Sequence, residues 1–447
     1  MSESKATRKA ERNFKKARIE TPIMTRKTSP FDQQQLAKCK PSVSFSAKDK
    51  GKRKETREDA ASTPGLSSKS ELPASFVVVA GSYEKLLYGL DGTVTSSESG
   101  YEFHVKPIFI FPAHVSSIKA VAASPNGGKW LATGSSDEIV KVWDLARRKE
   151  VGGLMHHQGS ITYLQFPSRS HLLSASEDGT LCLFHARDWT VLRSLRGHKG
   201  RVNSVAIHPS GKVALSVGHD KTLRMWDLMR GKGSASTKLG KEGEVVRWSL
   251  SGSMFIVQSL SSLDVFSTDM VLRHTIAHPS RIHSVRFCKR VHGAGELLLV
   301  AAEDKKVSIY HVVEDPQSTP TIIAEMVGHS NRVKAVETLD ISLPKTTSKS
   351  EEARATTTIA CTISSDGKIF VYDLAALPAE TREVLQVHPV AEYDTQGTRL
   401  TCLTVAEGRS DARLPTPSGK RKEREEDVDD EEEAEWEPRV EVLVEEL

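Results

Sequence analysis

Histidine, serine or threonine, and aspartate recur together along the chain in a pattern that could support nucleophilic hydrolysis. The fullest set is His198, Ser216, Asp220 and Trp226, which holds the residue types of a catalytic triad. Related sets recur elsewhere: His114, Thr133, Asp137 and Trp143; His157, Ser174 and Asp178; and His329, Thr362 and Asp366. One hydrolase needs one triad, and no G-x-S-x-G nucleophile elbow surrounds these serines. Buried hydrogen-bond networks that repeat with the fold therefore explain the pattern better than catalysis does.

Other motifs that would indicate an enzyme or a cofactor are missing from the sequence. There is no GxxxxGK[ST] phosphate loop and no CxxC or Cys/His metal spacing. The turn aspartates are too evenly spaced to form one metal cluster. The five cysteines are scattered and odd in number, which favours unpaired thiols in a reduced compartment. We therefore expect no catalytic activity, no metal and no cofactor.

The segments that carry these sets repeat along the chain. Each ends in an aromatic residue, and the successive spacings are 41, 42, 40, 44 and 62 residues: Trp143, Phe184, Trp226, Phe266, Tyr310 and Tyr372. A period of about 40–45 residues with upstream histidines and terminal WD dipeptides is typical of WD40 propellers, in which each repeat forms four short strands. The sequence therefore predicts an all-β propeller.

The number of strands indicates seven blades. Second and third strands are predicted at seven places, from 76–90 to 357–373, but only six first strands precede them. The segment TRLTCLTV, 398–405, would supply the missing strand of blade one. A C-terminal strand would then close the ring and remove its open edges. The polar segments 91–101 and 339–356 are predicted to be surface loops.

Charge separates the chain into three regions. Residues 1–75 carry 18 Lys and Arg against 9 Asp and Glu, whereas residues 408–447 carry 7 against 15. We predict a disordered basic arm over 1–75, the propeller over 76–407, and a disordered acidic tail over 408–447. No apolar run approaches the ~18–20 residues that span a bilayer, and the first twenty residues lack the apolar region of a secretory signal. Membrane partners are therefore not expected.

The pentapeptide GKRKE occurs twice, at 51–55 and at 419–423. It places two basic clusters in the predicted arms: Lys52, Arg53 and Lys54, and Lys420, Arg421 and Lys422. Short Lys/Arg clusters suit nuclear import receptors or nucleic-acid phosphates. Nuclear import is the favoured interpretation, and a solvated charge run is the alternative.

Three arginines occupy one equivalent position, three residues after the loop histidine: Arg201, Arg281 and Arg332. In a propeller this position lies around the narrow top face. Guanidinium groups suit carboxylates and phosphates, so the three could receive an acidic peptide or a phosphate backbone. Ordinary surface arginines paired with neighbouring residues are the alternative interpretation.

The run 156–228, above all HPSGKVALSVGHDKTLR, together with the opening VAGSYEKLLYGL, resembles the p21-activated-kinase-interacting WD-repeat proteins and their fungal killer-maintenance counterparts. The resemblance covers roughly residues 76–405. It implies a scaffold in the nucleus and nucleolus that promotes maturation of the large-subunit (pre-60S) ribosomal precursor and rRNA processing. The implied partners are assembly factors and ribosomal proteins, and rRNA would be contacted only indirectly. The chain is expected to be a monomer.

Two other functions remain open. Animal members of the resembled family are also described as inhibitors of the kinase, so a negative regulator of a p21-activated protein kinase is the first alternative. A substrate receptor of a ubiquitin ligase would favour a WDxR motif. Here the arginine comes one residue late, in WDLAR at 143–147 and WDLMR at 226–230.

Overall fold

The computed structural model describes residues 72–97, 100–312, 320–344, 354–378 and 383–408. These residues lie in the compact unit Ser68–Leu447. The predicted basic arm up to residue 71 and the predicted acidic tail from residue 409 lie outside the described residues, so both stay predictions. No described helix is long and apolar enough to cross a membrane.

The described residues form seven sheets, one for each predicted blade, and their strands pair antiparallel except for one added strand in blade six. The first three blades contain β1 (Ser75–Ser82), β2 (Leu86–Ser97) and β3 (Gly100–Pro112); β4 (Ile118–Ala123), β5 (Trp130–Ser135), β6 (Val140–Asp144) and β7 (Lys149–Leu154); and β8 (Ile161–Ser168), β9 (His171–Ser176), β10 (Thr180–His185) and β11 (Val191–Arg196). Blades four and five contain β12 (Val202–Ile207), β13 (Val213–Gly218), β14 (Thr222–Asp227) and β15 (Lys232–Lys238); and β16 (Val245–Trp248), β17 (Met254–Ser259), β18 (Ser262–Ser267) and β19 (Leu272–Ala277).

The last two blades are joined by an additional strand. Blade six contains β20 (Ile282–Lys289), β21 (Glu296–Ala302), β22 (Val307–His311) and β23 (Thr321–Met326); blade seven contains β24 (Val333–Ser342), β25 (Thr356–Ser364) and β26 (Lys368–Asp373), followed by a 3-10 turn (Leu374–Ala376), β27 (Leu385–Val387) and β28 (Ala391–Asp394). β27 leaves blade seven and pairs in parallel with β23, so blade six has a fifth strand. This covers the edge of blade six with backbone hydrogen bonds.

The C-terminal strand β29 (Leu400–Glu407) closes the ring, as predicted. It pairs antiparallel with β1 from Phe76↔Glu407 to Ser82↔Leu400. Leu400, Leu403 and Ala406 are buried along it. Blade one is therefore built from both ends of the propeller, and the seven-bladed all-β fold predicted from the sequence is confirmed.

Burial across a blade explains its sequence pattern. The second strand β13 reads VALSVG and is buried over five of its six residues, because blades pack on both of its faces. The outer strand β15 reads KGSASTK and is exposed throughout. The four described cysteines are free thiols, and three of them, Cys182, Cys288 and Cys361, are buried.

The prediction of a surface loop at 91–101 is wrong. Strands β2 and β3 continue through this segment as a long hairpin, paired out to Ser97↔Gly100. Its apolar side packs into a cluster shared by blades one and seven, where Phe103 is buried. At its end the Tyr101 hydroxyl donates to the Arg354 carbonyl at 3.0 Å. The predicted loop at 339–356 is also partly strand, because β24 runs to Ser342. Residues 345–353 of this segment lie outside the described residues.

Candidate partner-binding site at the channel mouth

A hydrogen-bonded tetrad positions the top loops of blade four. His198 Nδ1 lies 3.0 Å from Asp220 Oδ2, and its Nε2 lies 2.7 Å from Ser216 Oγ. The Trp226 indole N–H donates to the same serine oxygen at 2.7 Å. Because a carboxylate only accepts, the histidine proton sits on Nδ1 and the serine hydroxyl donates to Nε2. Each N–H and O–H group of this tetrad therefore has an acceptor, as a buried polar network requires.

The same geometry excludes substrate from the serine. The Ser216 side chain is fully buried, and its oxygen already accepts from Trp226. Burial also lowers the pKa of His198, although Asp220 opposes the shift, so the imidazole is held neutral. A triad serine must be reached by a carbonyl carbon. This arrangement stabilises a loop and offers no nucleophile to solvent.

Blade two repeats the tetrad, and blade three repeats three of its members. His114 lies 2.9 Å from Asp137 Oδ2 and 2.8 Å from Thr133 Oγ1, to which Trp143 also donates at 2.9 Å. In blade three, His157 lies 3.0 Å from Asp178 Oδ2 and 2.6 Å from Ser174 Oγ, with Phe184 in the place of the tryptophan. Burial lowers the pKa of both histidines.

The network of blade seven is looser on its aspartate side. His329 Nε2 lies 2.8 Å from Thr362 Oγ1, but its Nδ1 is 3.5 Å from Asp366 Oδ2. Asp366 instead accepts from the backbone N–H groups of Ser330 and Lys368 at 2.9 Å. Burial alone would raise the pKa of Asp366, but these hydrogen bonds and the contact with His329 hold it far below its usual range.

Blade six shows why the sequence pattern weakens there. In blade four, Ser216 on the second strand pairs with Val205 on the first. In blade six the equivalent pair is Val300 and Val285, so a valine stands in place of the serine. His278 therefore has no hydroxyl on the second strand. Its Nε2 lies 3.4 Å from Ser308 Oγ on the third strand and 3.8 Å from Asp304.

Tight turns fix the aspartates of these networks. Asp220 Oδ1 accepts from the Thr222 N–H at 3.2 Å, and Asp137 Oδ1 accepts from the Ile139 N–H at 3.1 Å, which forms an Asx turn. The residue that follows each aspartate has a positive φ, as in Lys221 at 57°. The turn holds the carboxylate beneath the loop that carries the histidine.

The innermost strands of the seven blades are β29, β4, β8, β12, β16, β20 and β24. A β-bulge interrupts six of them at the same position, and β16 is the exception. A bulge adds one residue to a strand and can re-aim its side chain. The six bulged residues line the mouth of the central channel, and in blade five Glu244 stands at the equivalent position. Together they are Lys119, Thr162, Asn203, Glu244, His283, Lys334 and Thr401. We name these seven residues the mouth ring. In the five blades that have a loop histidine, the ring residue follows that histidine by five positions.

The channel below the mouth ring is polar and has a volume of about 380 Å³. Arg286 Nε pairs with Glu337 Oε2 at 3.2 Å on its wall. Arg247 donates to Ser204 Oγ at 3.1 Å, and its guanidinium lies 5.0 Å from the centre of the Tyr163 ring. The channel therefore carries charged groups of both signs and is wide enough for a side chain.

The three predicted arginines lie at the entry to the inner strands, beside the mouth ring, and each has a glutamate neighbour. Arg201 lies 3.1 Å from Glu242, Arg281 lies 2.8 Å from Glu244, and Arg332 lies 3.9 Å from Glu303. All three side chains are at least 38% exposed. The mouth ring itself was not predicted from the sequence, because the bulge displaces the side-chain alternation that a strand pattern assumes.

Charge is unevenly distributed around the mouth. His283 Nε2 lies 3.4 Å from Glu303, which also neighbours Arg332. Burial lowers the pKa of His283 to about 4, and the cations Lys334, Arg281 and Arg332 contribute, so this histidine is neutral at pH 7. Burial and the same arginines also lower the pKa of Lys334. Three cations, Arg281, Arg332 and Lys334, therefore lie close enough to interact at the mouth of blades six and seven, beside Glu303.

Both predicted nuclear-import clusters, Lys52–Lys54 and Lys420–Lys422, lie outside the described residues. Their role stays a prediction.

The chain matches a family model described as WD domain, G-beta repeat, over residues 105–144, 148–185 and 189–227. These segments end at the third strands of blades two, three and four, where the tetrads are most complete. The remaining four blades have the fold but a weaker signature, as Val300 illustrates for blade six.

Comparison with individual relatives extends the likeness to about three quarters of the chain. The chain is 34% identical to p21-activated protein kinase-interacting protein 1-like of Danio rerio over 330 residues, which cover 73% of this chain and 80% of the relative. It is 32% identical to the protein of the same name from Gallus gallus, covering 73% and 79%. It is 32% identical to protein MAK11 of Saccharomyces cerevisiae over 377 residues, covering 74% and 83%. The chain therefore belongs to the family of p21-activated protein kinase-interacting WD-repeat proteins.

Proposed function

We propose that this chain is a non-enzymatic WD40 scaffold that promotes assembly of the large ribosomal subunit in the nucleolus. The observation that carries the scaffold role is the top face, where charged and polar side chains surround the channel while the candidate nucleophiles are buried. The hydroxyls of Thr133, Ser174, Ser216 and Thr362 are fully inaccessible. The ribosomal role rests on the resemblance of residues 76–405 to nucleolar assembly factors.

The predicted arms support the same setting. The two GKRKE pentapeptides would bring the chain into the nucleus. An arm rich in Lys and Arg and a tail rich in Asp and Glu suit retention among ribosomal proteins and RNA by electrostatic attraction. Restraint of a kinase needs neither arm.

Affinity purification of the tagged protein tests the proposal. We expect precursors of large-subunit rRNA and large-subunit assembly factors to be recovered well above small-subunit precursors. Recovery of a protein kinase without ribosomal precursors would contradict the ribosomal role and leave the scaffold role standing.

Charge reversal locates the docking face. The triple change of Arg201, Arg281 and Arg332 to Glu should release the protein from large-subunit precursors in sucrose gradients, with circular dichroism unchanged. The matched control changes three exposed arginines of the bottom face to Glu: Arg147, Arg169 and Arg187. Release by the bottom-face control instead would place the docking surface on that face.

A protein kinase is the second candidate partner, because of the names of the relatives. Those of fish and bird are called kinase-interacting, and a relative of Schizosaccharomyces pombe, 27% identical over 73% of this chain and 82% of its own length, is called Shk1 kinase-binding protein 15. Binding of the purified chain to a p21-activated kinase, measured with and without ribosomal partners, would distinguish the two roles.

A further inference from the structure

One cation of the mouth ring lacks the carboxylate partner that its neighbours have. Lys119 Nζ lies 3.1 Å from Glu177, and the arginines beside the ring face glutamates as described above. Lys334, which is half-buried, makes no ion pair within 4.0 Å and no hydrogen bond through its side chain to any described residue. A half-buried ammonium without a partner is costly unless an anion or water completes its contacts.

The groups around Lys334 increase the local excess of positive charge. Arg281 and Arg332 act on Lys334 from the rim of the mouth, and Arg399 of blade one, whose guanidinium lies over the Tyr83 ring, adds a weaker effect. Glu303 lies 3.4 Å from the neutral His283 and 3.9 Å from Arg332, and it attracts Lys334 only from beyond ion-pair distance, so one carboxylate serves both Arg332 and Lys334. Burial and these arginines disfavour the charged form of Lys334 and lower its pKa. An incoming anion would relieve both effects.

We propose that the mouth between blades six, seven and one receives one carboxylate side chain of an acidic partner peptide, with the Lys334 ammonium as its direct donor. Arg281 and Arg332 contribute charge from the rim. The inference deepens the scaffold role proposed above by naming the chemical class of the partner segment, and it rests on that role.

The surroundings favour a peptide over RNA. The other cations around the mouth, Lys119, Arg201 and Arg281, are already paired with Glu177, Glu242 and Glu244, so the mouth offers one unpaired ammonium to a single anionic group and no row of free cations to a continuous phosphate backbone. The channel, at about 380 Å³, is suited to a single side chain that enters from above. Tyr83, 58% exposed, lies on the top face of blade one and offers apolar contact to the flanking residues of a peptide.

A fluorescence anisotropy titration with the purified full chain tests the site. The probe is a labelled Gly-Ser-Glu-Glu-Glu-Ser-Gly peptide, and the reference is the same peptide with Gln in place of Glu. Three variants each remove one positive charge: Lys334→Gln, Arg147→Gln and Arg169→Gln. The latter two are matched controls, because both arginines are exposed on the bottom face, away from the mouth.

We expect the Glu peptide to bind and the Gln peptide not to bind. Lys334→Gln should weaken binding by about tenfold, the effect of losing one charge-assisted hydrogen bond, whereas the two controls should change it by less than about twofold. Equal weakening by all three variants would indicate general attraction and overturn the site, as would a wild-type protein that does not bind the Glu peptide. Tighter binding of labelled oligo-uridine, sensitive to Lys334→Gln, would assign the mouth to RNA instead.

The outcome is separable from that of the scaffold proposal. The titration uses only the purified chain and a synthetic peptide, so it is independent of ribosomal precursors or kinases in the cell. If Lys334→Gln loses peptide binding but still recovers the same partners in affinity purification, the peptide site is supported and its link to those partners is contradicted.

Discussion

Replacement of Asp220 by alanine should destabilise the propeller without removing any activity. The carboxylate accepts from the His198 ring at 3.0 Å, from the Lys199 N–H at 3.0 Å and from the Thr222 hydroxyl at 2.8 Å. Burial alone would raise the pKa of Asp220, but these hydrogen bonds outweigh it and lower the pKa. The folded protein therefore holds an ionised carboxylate at the centre of the tetrad.

The expected cost follows from the donors that lose their acceptor. The His198 side chain is fully buried, so water cannot replace the carboxylate at its Nδ1–H. An orphaned buried donor costs about 1–3 kcal/mol. Water can reach the Lys199 N–H, because that residue is exposed, so this bond adds little. We expect a loss of roughly 1–3 kcal/mol in the free energy of unfolding.

Urea titration and calorimetry measure this change. For a domain of about 330 residues, a loss of this size lowers Tm by roughly 1–4 °C. Asp188→Ala is a matched control, because Asp188 accepts from His185 Nδ1 at the same 2.9–3.0 Å but is 55% exposed. Solvent replaces its hydrogen bonds, and the control should melt close to the wild type.

Two results would refute this reasoning. Equal melting temperatures for Asp220→Ala and Asp188→Ala would show that the tetrad does not stabilise the fold. Turnover of an ester or peptide by the purified wild type, lost in Ser216→Ala at unchanged stability, would restore the catalytic interpretation of the same residues.

Three further predictions follow from closure, titration and packing. Ending the chain after residue 397 removes β29 and should abolish cooperative melting, whereas ending it after Gly408 should preserve the wild-type Tm; equal Tm values would refute ring closure. His283 stays neutral in the folded state down to about pH 4 but protonates near pH 6.5 when unfolded, so its contribution to stability is present above pH 6.5 and lost as pH falls toward 4. His283→Gln should therefore lose less stability than the wild type between pH 7 and pH 5 in urea titrations, and parallel curves would contradict this. Gly89→Ala would place a Cβ 2.2 Å from the Phe109 ring and should cost about 1–3 kcal/mol, whereas Gly152→Ala, which meets no atom within 4 Å, should be nearly neutral by the same titration.

Most of the fold could be predicted because each blade repeats the same physical solution. The histidine, hydroxyl and aspartate recur at fixed spacing, since each tight turn must satisfy the same buried donors. Missing members are informative as well. Val300 in blade six removes the hydroxyl, and the contacts of His278 lengthen to 3.4 and 3.8 Å.

The parts that could not be predicted depend on partners distant in sequence. The segment 91–101 has the composition of a loop, but its hairpin is stabilised by blade seven, through Tyr101 and the carbonyl of Arg354. The parallel strand β27 is only three residues long and gains its pairing from blade six. Neither contact leaves a local pattern in the sequence.

The mouth ring was missed for a different reason, and that reason bears on function. Strand alternation assumes regular pairing, whereas a bulge inserts one side chain that the alternation does not count. The bulge lies between the loop histidine, which the tetrad fixes, and the core residues of the inner strand. Its side chain faces the channel, and the residue type differs from blade to blade: Lys119, Thr162, Asn203, His283, Lys334 and Thr401. The ring positions thus differ in charge and hydrogen-bonding capacity although the scaffold repeats, and binding specificity is best sought there.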